Sequence, residues 1–187
     1  MQNSNGDIWK GAVAGVAGGL AASYAMTKFL ALSEKASEIR EAREHDAPHN
    51  PQHSTDRGEA ESARRKHEED EDATVKAASR ISEGLFHHKL TKKQKKVAGP
   101  AVHYAFGGLT GGIYGALAEL APRVTRGAGL PFGTVVWLGA DEIGIPALKL
   151  ADPPLEHPPA VHARAFAAHV VYGLTTEAVR LLVRRAL

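Results

Sequence analysis

Two adjacent carboxylates, Asp141 and Glu142, stand inside the otherwise apolar run TVVWLGADEIGIPAL, Thr134 to Leu148. A carboxylate in apolar surroundings can accept a proton, hold an ion pair or accept hydrogen bonds, and each role requires a partner inside the fold. Neighbouring residues of a helix point about 100° apart, so one face cannot shelter both side chains equally. Lys28, Arg164, His169 and Arg180 are partners of suitable chemistry. Structural pairing is the expected role, with proton acceptance as the alternative. His103, His162 and His169 allow either structural hydrogen bonds or proton relay with Glu119, Glu177 and Asp141.

The remaining chemistries fare worse. The chain has no cysteine, so disulfides, thiolate metal sites and cysteine nucleophiles are excluded. No HExxH occurs and no two histidines of the apolar segments are four apart, so no metal site is expected there. His45, His49 and His53 have that spacing, but Pro48 and Pro51 argue against a helical site. Ser23 lacks a G-x-S-x-G setting, and GVAGGLAASY follows no strand and precedes no phosphate-binding lysine. A haem between His103 and His169 would rest on a histidine pair alone. No catalytic residue and no cofactor is expected, which points away from an enzyme. The formal charge of +2 and the absence of aromatic residues among the basic ones speak against nucleic acid.

Spacing gives these groups a common frame. His103, Gly107, Gly111, Gly115 and Glu119 recur every four residues, and His169, Gly173 and Glu177 do the same. Gly11, Gly15 and Gly19 form a further stripe. In water such glycines cost helix stability, roughly 1 kcal/mol each relative to alanine. In a membrane they let helices approach closely, which favours the membrane reading over a soluble helical fold. IYGALAE (Ile113 to Glu119) and VYGLTTE (Val171 to Glu177) share Tyr, Gly and Glu at an offset of 58 residues, which suggests two repeated helical hairpins. If the two stripes face one another, His103, Tyr114, Glu119, His169, Tyr172 and Glu177 share one interior.

Four apolar segments must carry these residues. Trp9 to Leu32, 24 residues, would extend about 36 Å as a helix, enough to cross a hydrocarbon core of about 30 Å. This length favours a retained span over a cleaved signal peptide. Val97 to Leu120 and Leu130 to Leu150 follow; Pro131 suits a helix start, whereas Pro146 is expected to kink or break the last turns. Ala160 to Val183 is the most heavily charged segment, with Arg164, His169, Glu177 and Arg180.

The expected architecture is therefore all-α: an integral membrane four-helix bundle. Residues 1–32 supply a tail and the first span, residues 33–96 a charged insert, and residues 97–187 three further spans and a short basic C-terminus. The insert carries 14 acidic and 14 basic residues, so it is neutral overall but densely charged. Glu34 to Glu44 is suited to continue the first helix, His45 to Gly58 reads as linker, and Glu59 to Leu90 offers a second, exposed charged helix. Lys92, Lys93, Lys95 and Lys96 would meet lipid headgroups at the start of the second span. Four spans place both termini on one side, and the lysines favour a cytoplasmic insert.

GAVAGVAGGLAASYAMTKF, GPAVHYAFGGLTGGIYGALAE, GADEIGIPALKL and HVVYGLTTEAVRLLVRR together resemble the YagU-type bacterial inner-membrane proteins, a family of unknown function. The resemblance covers about Trp9 to Leu32 and Val97 to Arg185. It implies a multi-pass protein of the bacterial inner membrane with His103, Tyr114, Glu119, Asp141, Glu142, His169, Tyr172 and Glu177 in its embedded part, and an envelope or acid-stress role. It assigns none of them catalysis. Gly11, Gly15, Gly19, Gly107, Gly111, Gly115 and Gly173 are the expected packing positions. The lipid bilayer is the expected partner, with a homo-oligomer or a larger membrane complex beside it. An accessory or scaffold subunit of such a complex, and a small proton or ion pathway protein, are the alternative functions.

Overall fold

The computed structural model describes residues 4–45, 73–150 and 158–187, and these are all-helical with no strand. Helix α1 spans Ser4–His45, α2 Ala73–Phe86, α3 Lys92–Leu120, α4 Leu130–Trp137, α5 Ile145–Ala147 and α6 Pro159–Ala186. A π-helical stretch, Leu138–Gly144, joins α4 to α5, and a 3-10 turn, Pro122–Thr125, follows α3. Helix α1 runs through Glu34 to Glu44 without interruption, since no proline precedes Pro48. The expected linker from His45 to Gly58 and the acidic residues Glu68 to Asp72 lie outside the described residues, apart from His45 at the end of α1.

Local chemistry sets the helix limits. Thr91 caps α3: its hydroxyl accepts from the Gln94 backbone N–H, while the Thr91 N–H donates to Gln94 Oε1 at 2.8 Å. At the far end the Ala121 N–H donates to the Leu117 carbonyl. The chain then turns through Gly127 and Gly129, both in the left-handed region, with φ of 84° and 88°. Pro131 stands in the first turn of α4, where its missing N–H costs nothing. Pro146 does not break the segment. Upstream of it the helix widens, and the Ile145 N–H donates to the Ala140 carbonyl, five residues back. The wider turns accommodate a residue that cannot donate and whose ring would crowd the carbonyl four positions earlier.

Helix α1 is the axis of the packing, in contact with α3 and α6; α2 packs on α3, and α4 on α6. Glycines decide how closely they approach. Gly11, Gly15 and Gly19 meet Gly115, Gly111 and Gly107 in antiparallel order, and a methyl at Gly15 or Gly19 would overlap the carbonyl of Gly111 or Gly107. Gly129 and Gly133 of the following segment meet Gly173 and the His169 backbone in the same manner. A Cβ on Gly18 would come within 2.6 Å of the Thr176 carbonyl oxygen, which brings α6 onto a second face of α1. The two stripes expected to face one another therefore do not. The stripe of α3 faces the glycines of α1, and His169 and Gly173 face α4, because each glycine row is filled by the backbone of its own hairpin partner.

Small residues make up much of the interior. Ala14, Ala22, Ala168, Ser23 and Thr176 are fully buried, whereas Leu109, Ile113, Leu120, Leu174 and Leu182 lie exposed on the outside. A compact cluster of Ala22, Met26, Ala168 and Tyr172, with Phe29, Phe132 and Val136 against it, closes the middle. Among the described residues two helices, Asp7–Arg40 and Pro159–Ala186, are long and apolar enough to cross a membrane. The more charged fourth segment is one of the two, whereas the second and third are not.

Candidate functional site

The acidic pair sits on the π-helical stretch and is read by α6. Glu142 Oε1 lies 2.7 Å from His162 Nδ1, and Asp141 Oδ2 lies 3.6 Å from His169 Nδ1. His162 and His169 are seven residues apart, two turns on one side of α6, so a single helix serves both carboxylates. The angular divergence of neighbouring side chains is resolved by giving each its own histidine. His169 is buried, and its Nδ1 is also 3.0 Å from the Ala165 carbonyl oxygen. A carbonyl only accepts, so Nδ1 carries the proton in this contact. The other anticipated partners are engaged elsewhere: Lys28 lies over the Tyr24 ring at 5.3 Å, Arg164 donates to the Leu30 carbonyl, and Arg180 pairs with Glu177.

Asp141, His169, Tyr172 and His103 line a cavity of about 520 Å³ between α1, α2, α3, the α4–π segment and α6. Its walls are mainly apolar, built from Met26, Ile81, Val102, Phe106, Val136 and Ile145, among others. Helix α2 covers one side. It is held there by Val75 against Gly99 and by Arg80, whose guanidinium donates to the Leu148 and Lys149 carbonyls. Tyr172 donates to the Gly107 carbonyl at 2.7 Å and contacts Thr110 Oγ1 at 2.8 Å, tying α6 to α3 across the cavity floor.

A second polar group occupies the other half of α6. Arg180 Nε and Nη2 donate to the two oxygens of Glu177 at 2.7 and 2.8 Å, and both residues are about 5% exposed. Tyr114 is buried beside them; its hydroxyl adjoins Glu177 without closing a hydrogen bond of regular geometry, and Arg180 lies 5.9 Å from its ring centroid. Further out, Arg184 donates to Glu119 at 2.8 Å and to Asp7 at 3.0 Å, joining α1, α3 and α6 at one end of the fold. Between the two polar groups lies Phe132, stacked on Tyr114 at 4.2 Å and 5.7 Å from Tyr172.

Of the anticipated polar residues, Asp141, His169, Tyr172 and His103 thus meet at the cavity, and Tyr114 and Glu177 meet at the buried ion pair. Glu119 belongs to the end cluster, and Glu142 pairs with His162 beside the cavity. Glu177 and Arg180 were within reach of sequence reading as a close acid–base pair on one helix face. The Arg184–Glu119–Asp7 contact joins residues up to 177 positions apart and left no spacing signal. Among the described residues no group of three or more His, Cys, Asp or Glu could hold a metal ion.

These features define a helical protein of glycine-packed hairpins with an apolar-walled, protonatable cavity. Residues 77–178 match the family described as protein of unknown function (DUF1440), and the chain belongs to that family. The matched stretch begins inside α2 and ends within α6, so it contains the cavity's π-helical wall and both histidine–carboxylate contacts but leaves out α1. No curated protein and no solved structure matched the chain.

Proposed function

We propose that this chain is a multi-pass protein of the bacterial inner membrane, a bundle of two related hairpins with an envelope role under acid stress, acting through packing and protonation. The observation that carries the membrane part is the distribution of side-chain size. In a water-soluble helical protein the large aliphatics fill the core. Here alanine, glycine, Ser23 and Thr176 make up much of it, with Met26, Tyr114 and Tyr172 as its large members, and Leu109, Ile113, Leu174 and Leu182 face outward. The ionic groups in the C-terminal half of α6, Glu177 and Arg180, are turned inward and paired. The ends carry the exposed charge: Lys10, Arg123, Arg126 and Arg185 at one, Lys92, Lys93, Lys96 and Arg164 at the other. Between Lys10 and Lys28 the 17 residues of α1 carry no charge and rise about 26 Å.

The acid-stress part is supported by the two histidine–carboxylate contacts, whose strength follows the charge on the ring. An accessory-subunit reading has one observation of its own: α1 extends as an exposed, charged arm from Glu34 to Arg43.

The absence of native cysteine makes the membrane part directly testable. Gln94→Cys and Ala121→Cys, at opposite ends of α3, are expected to react with an impermeant maleimide from opposite sides of the membrane, and Ile113→Cys to stay silent. Release of the protein by alkaline carbonate, or ready labelling of Ile113→Cys, would overturn it. For the acid role, Asp141→Asn and Glu142→Gln are compared with the parent for survival at low pH and for proton flux in proteoliposomes. Variants indistinguishable from the parent in both assays remove it. Gentle extraction that returns a stoichiometric foreign subunit favours the accessory reading instead.

A further inference from the structure

The cavity opens on one side, and the rim of the opening is apolar. Of its lining residues Ile81, Phe106, Val135, Gly139 and Leu148 are exposed, and they belong to α2, α3, the α4–π segment and the turn after α5. Leu109 and Leu138, each about one turn beyond Phe106 and Val135, are exposed too and continue that apolar surface outward. Cations stand beside the opening. Arg80 and Lys149, both exposed, adjoin the rim residues Ile81 and Leu148 in sequence. The Arg80 guanidinium donates to the neutral Leu148 and Lys149 carbonyls, which leave its charge uncompensated, and among the described residues no carboxylate pairs with Arg80 or Lys149. Lys96 lies two turns before the lining residue His103 on one side of α3, about 10 Å along the axis.

We infer that this cavity takes one acyl chain of an anionic phospholipid, whose phosphate is held at the mouth by Arg80 and Lys149. The volume, about 520 Å³, lies within the roughly 300–1,000 Å³ of small-molecule sites. The polar groups of the wall are engaged within the protein. Ser23, Thr110 and Tyr172 donate to the Gly19, Phe106 and Gly107 carbonyls, and Asp141 faces His169. A hydrocarbon chain makes no demand on these groups and breaks none of their bonds. The ester and phosphate oxygens of a phospholipid only accept, and they meet donors on the mouth side: Arg80, Lys149 and the ring of His103. A zwitterionic headgroup would bring its own cation against Arg80 and Lys149, so a net anionic lipid fits better. The lipid's approach from the bilayer rests on the membrane reading; the cavity and its charged rim do not.

Native mass spectrometry of the full chain, released from detergent micelles, counts the lipids it retains. The micelles are titrated with dioleoylphosphatidylglycerol, with dioleoylphosphatidylcholine, and with glycerophosphoglycerol as the headgroup alone. Phosphatidylglycerol is expected to saturate at one per chain and to bind more than about tenfold more tightly than phosphatidylcholine, since each cation near a lipid surface contributes about fivefold. Lys149→Glu should cut that preference by about fivefold or more. Gly139→Leu fills the mouth, where a Cβ meets nothing within 4 Å, and should abolish the saturable site for both lipids. Equal affinity for the two lipids, retention of the bare headgroup as tightly, an unchanged preference in Lys149→Glu, or undiminished binding in Gly139→Leu would each overturn the inference. If a variant fails to fold, the lipid preference of the parent and the headgroup control decide. Should Ile113→Cys label readily while the chain still takes one myristoyl-lysophosphatidylglycerol in buffer, the membrane reading fails and the cavity assignment stands. A silent Ile113→Cys without selective lipid retention removes the cavity assignment alone.

Discussion

Removing Glu177 while leaving Arg180 is the most damaging conservative change the structure offers. The two side chains form a bidentate pair three residues apart on α6, each about 5% exposed, with Tyr114 alongside. In Glu177→Gln the amide oxygen keeps one hydrogen bond, but the guanidinium charge stays buried without its counter-charge. Breaking a buried pair in this way costs about 3–5 kcal/mol. The retained hydrogen bond places this variant toward the lower end, about 3 kcal/mol, or more than a hundredfold in the folding equilibrium. The cost arises in the folded state, since an Arg180 released from the packed bundle regains water or headgroup contact. Replacing both residues, as Glu177→Leu with Arg180→Met, removes the desolvation of two charges together with their attraction. That double variant should lie within about 1 kcal/mol of the parent or above it. Unfolding followed by Trp fluorescence in mixed micelles measures the parent, Glu177→Gln, the double variant and its two singles, Glu177→Leu and Arg180→Met. A loss below about 1 kcal/mol in Glu177→Gln, or a double variant that costs the sum of its singles, refutes the account of a desolvated and coupled pair.

Gly111→Ala should destabilise by about 1–3 kcal/mol, because its methyl would overlap the Gly15 carbonyl; Gly84→Ala, with open space around its Cβ, should instead gain up to about 1 kcal/mol. Thermal unfolding of the two side by side separates packing from helix propensity. Tyr172→Phe removes the donor to Gly107 and the contact with Thr110, and should cost about 1–3 kcal/mol by the same assay. Arg80→Ala should leave global stability within about 1 kcal/mol yet raise hydrogen exchange selectively in α2, since it cuts that helix from the Leu148 and Lys149 carbonyls.

The readable part of this fold was the part written in spacing. Glycines four apart state a close helix contact without naming the partner, and Gly11, Gly15 and Gly19 could be recognised as a contact row before Gly115, Gly111 and Gly107 were known to fill it. For that reason the stripes of α3 and α6 were expected against each other, when each is filled from its own hairpin. The membrane-crossing potential of α6 was harder to read, because Glu177 and Arg180 count as charges in sequence and cancel as an ion pair in the structure. Pro146 signalled an irregularity but not its kind. Widening into π-helical turns needs only that the local carbonyls find donors one residue further on, as Ala140 does with Ile145. Helix α2 lay within the charged insert, and its role as a wall depends on Arg80 reaching residues 68 and 69 positions away, a distance that periodicity does not encode.

The cavity has a physical origin in the mismatch between the two hairpins. The contact Gly11 with Gly115 is matched by Gly129 with Gly173, and Gly15 with Gly111 by Gly133 with the His169 backbone. Each partner on α6 stands 58 residues after its counterpart on α3, the same offset that relates Tyr114 to Tyr172 and Glu119 to Glu177. At the third step the first hairpin still has glycine on both sides, Gly19 and Gly107. The corresponding residues in the second are Trp137 and Ala165. A tryptophan cannot enter a glycine-depth contact; Trp137 turns instead against Phe166, with ring centroids 5.1 Å apart, and the next residue begins the π-helical stretch. At the second step the α6 position is a histidine, so its backbone keeps the close approach to Gly133 while its imidazole reaches the space beyond. Trp137 thus ends the glycine-depth contacts just before the π-helical stretch that carries Asp141, and His169, in place of a glycine, supplies the imidazole that meets it. Space and polar chemistry lie together where the glycine-depth contacts stop.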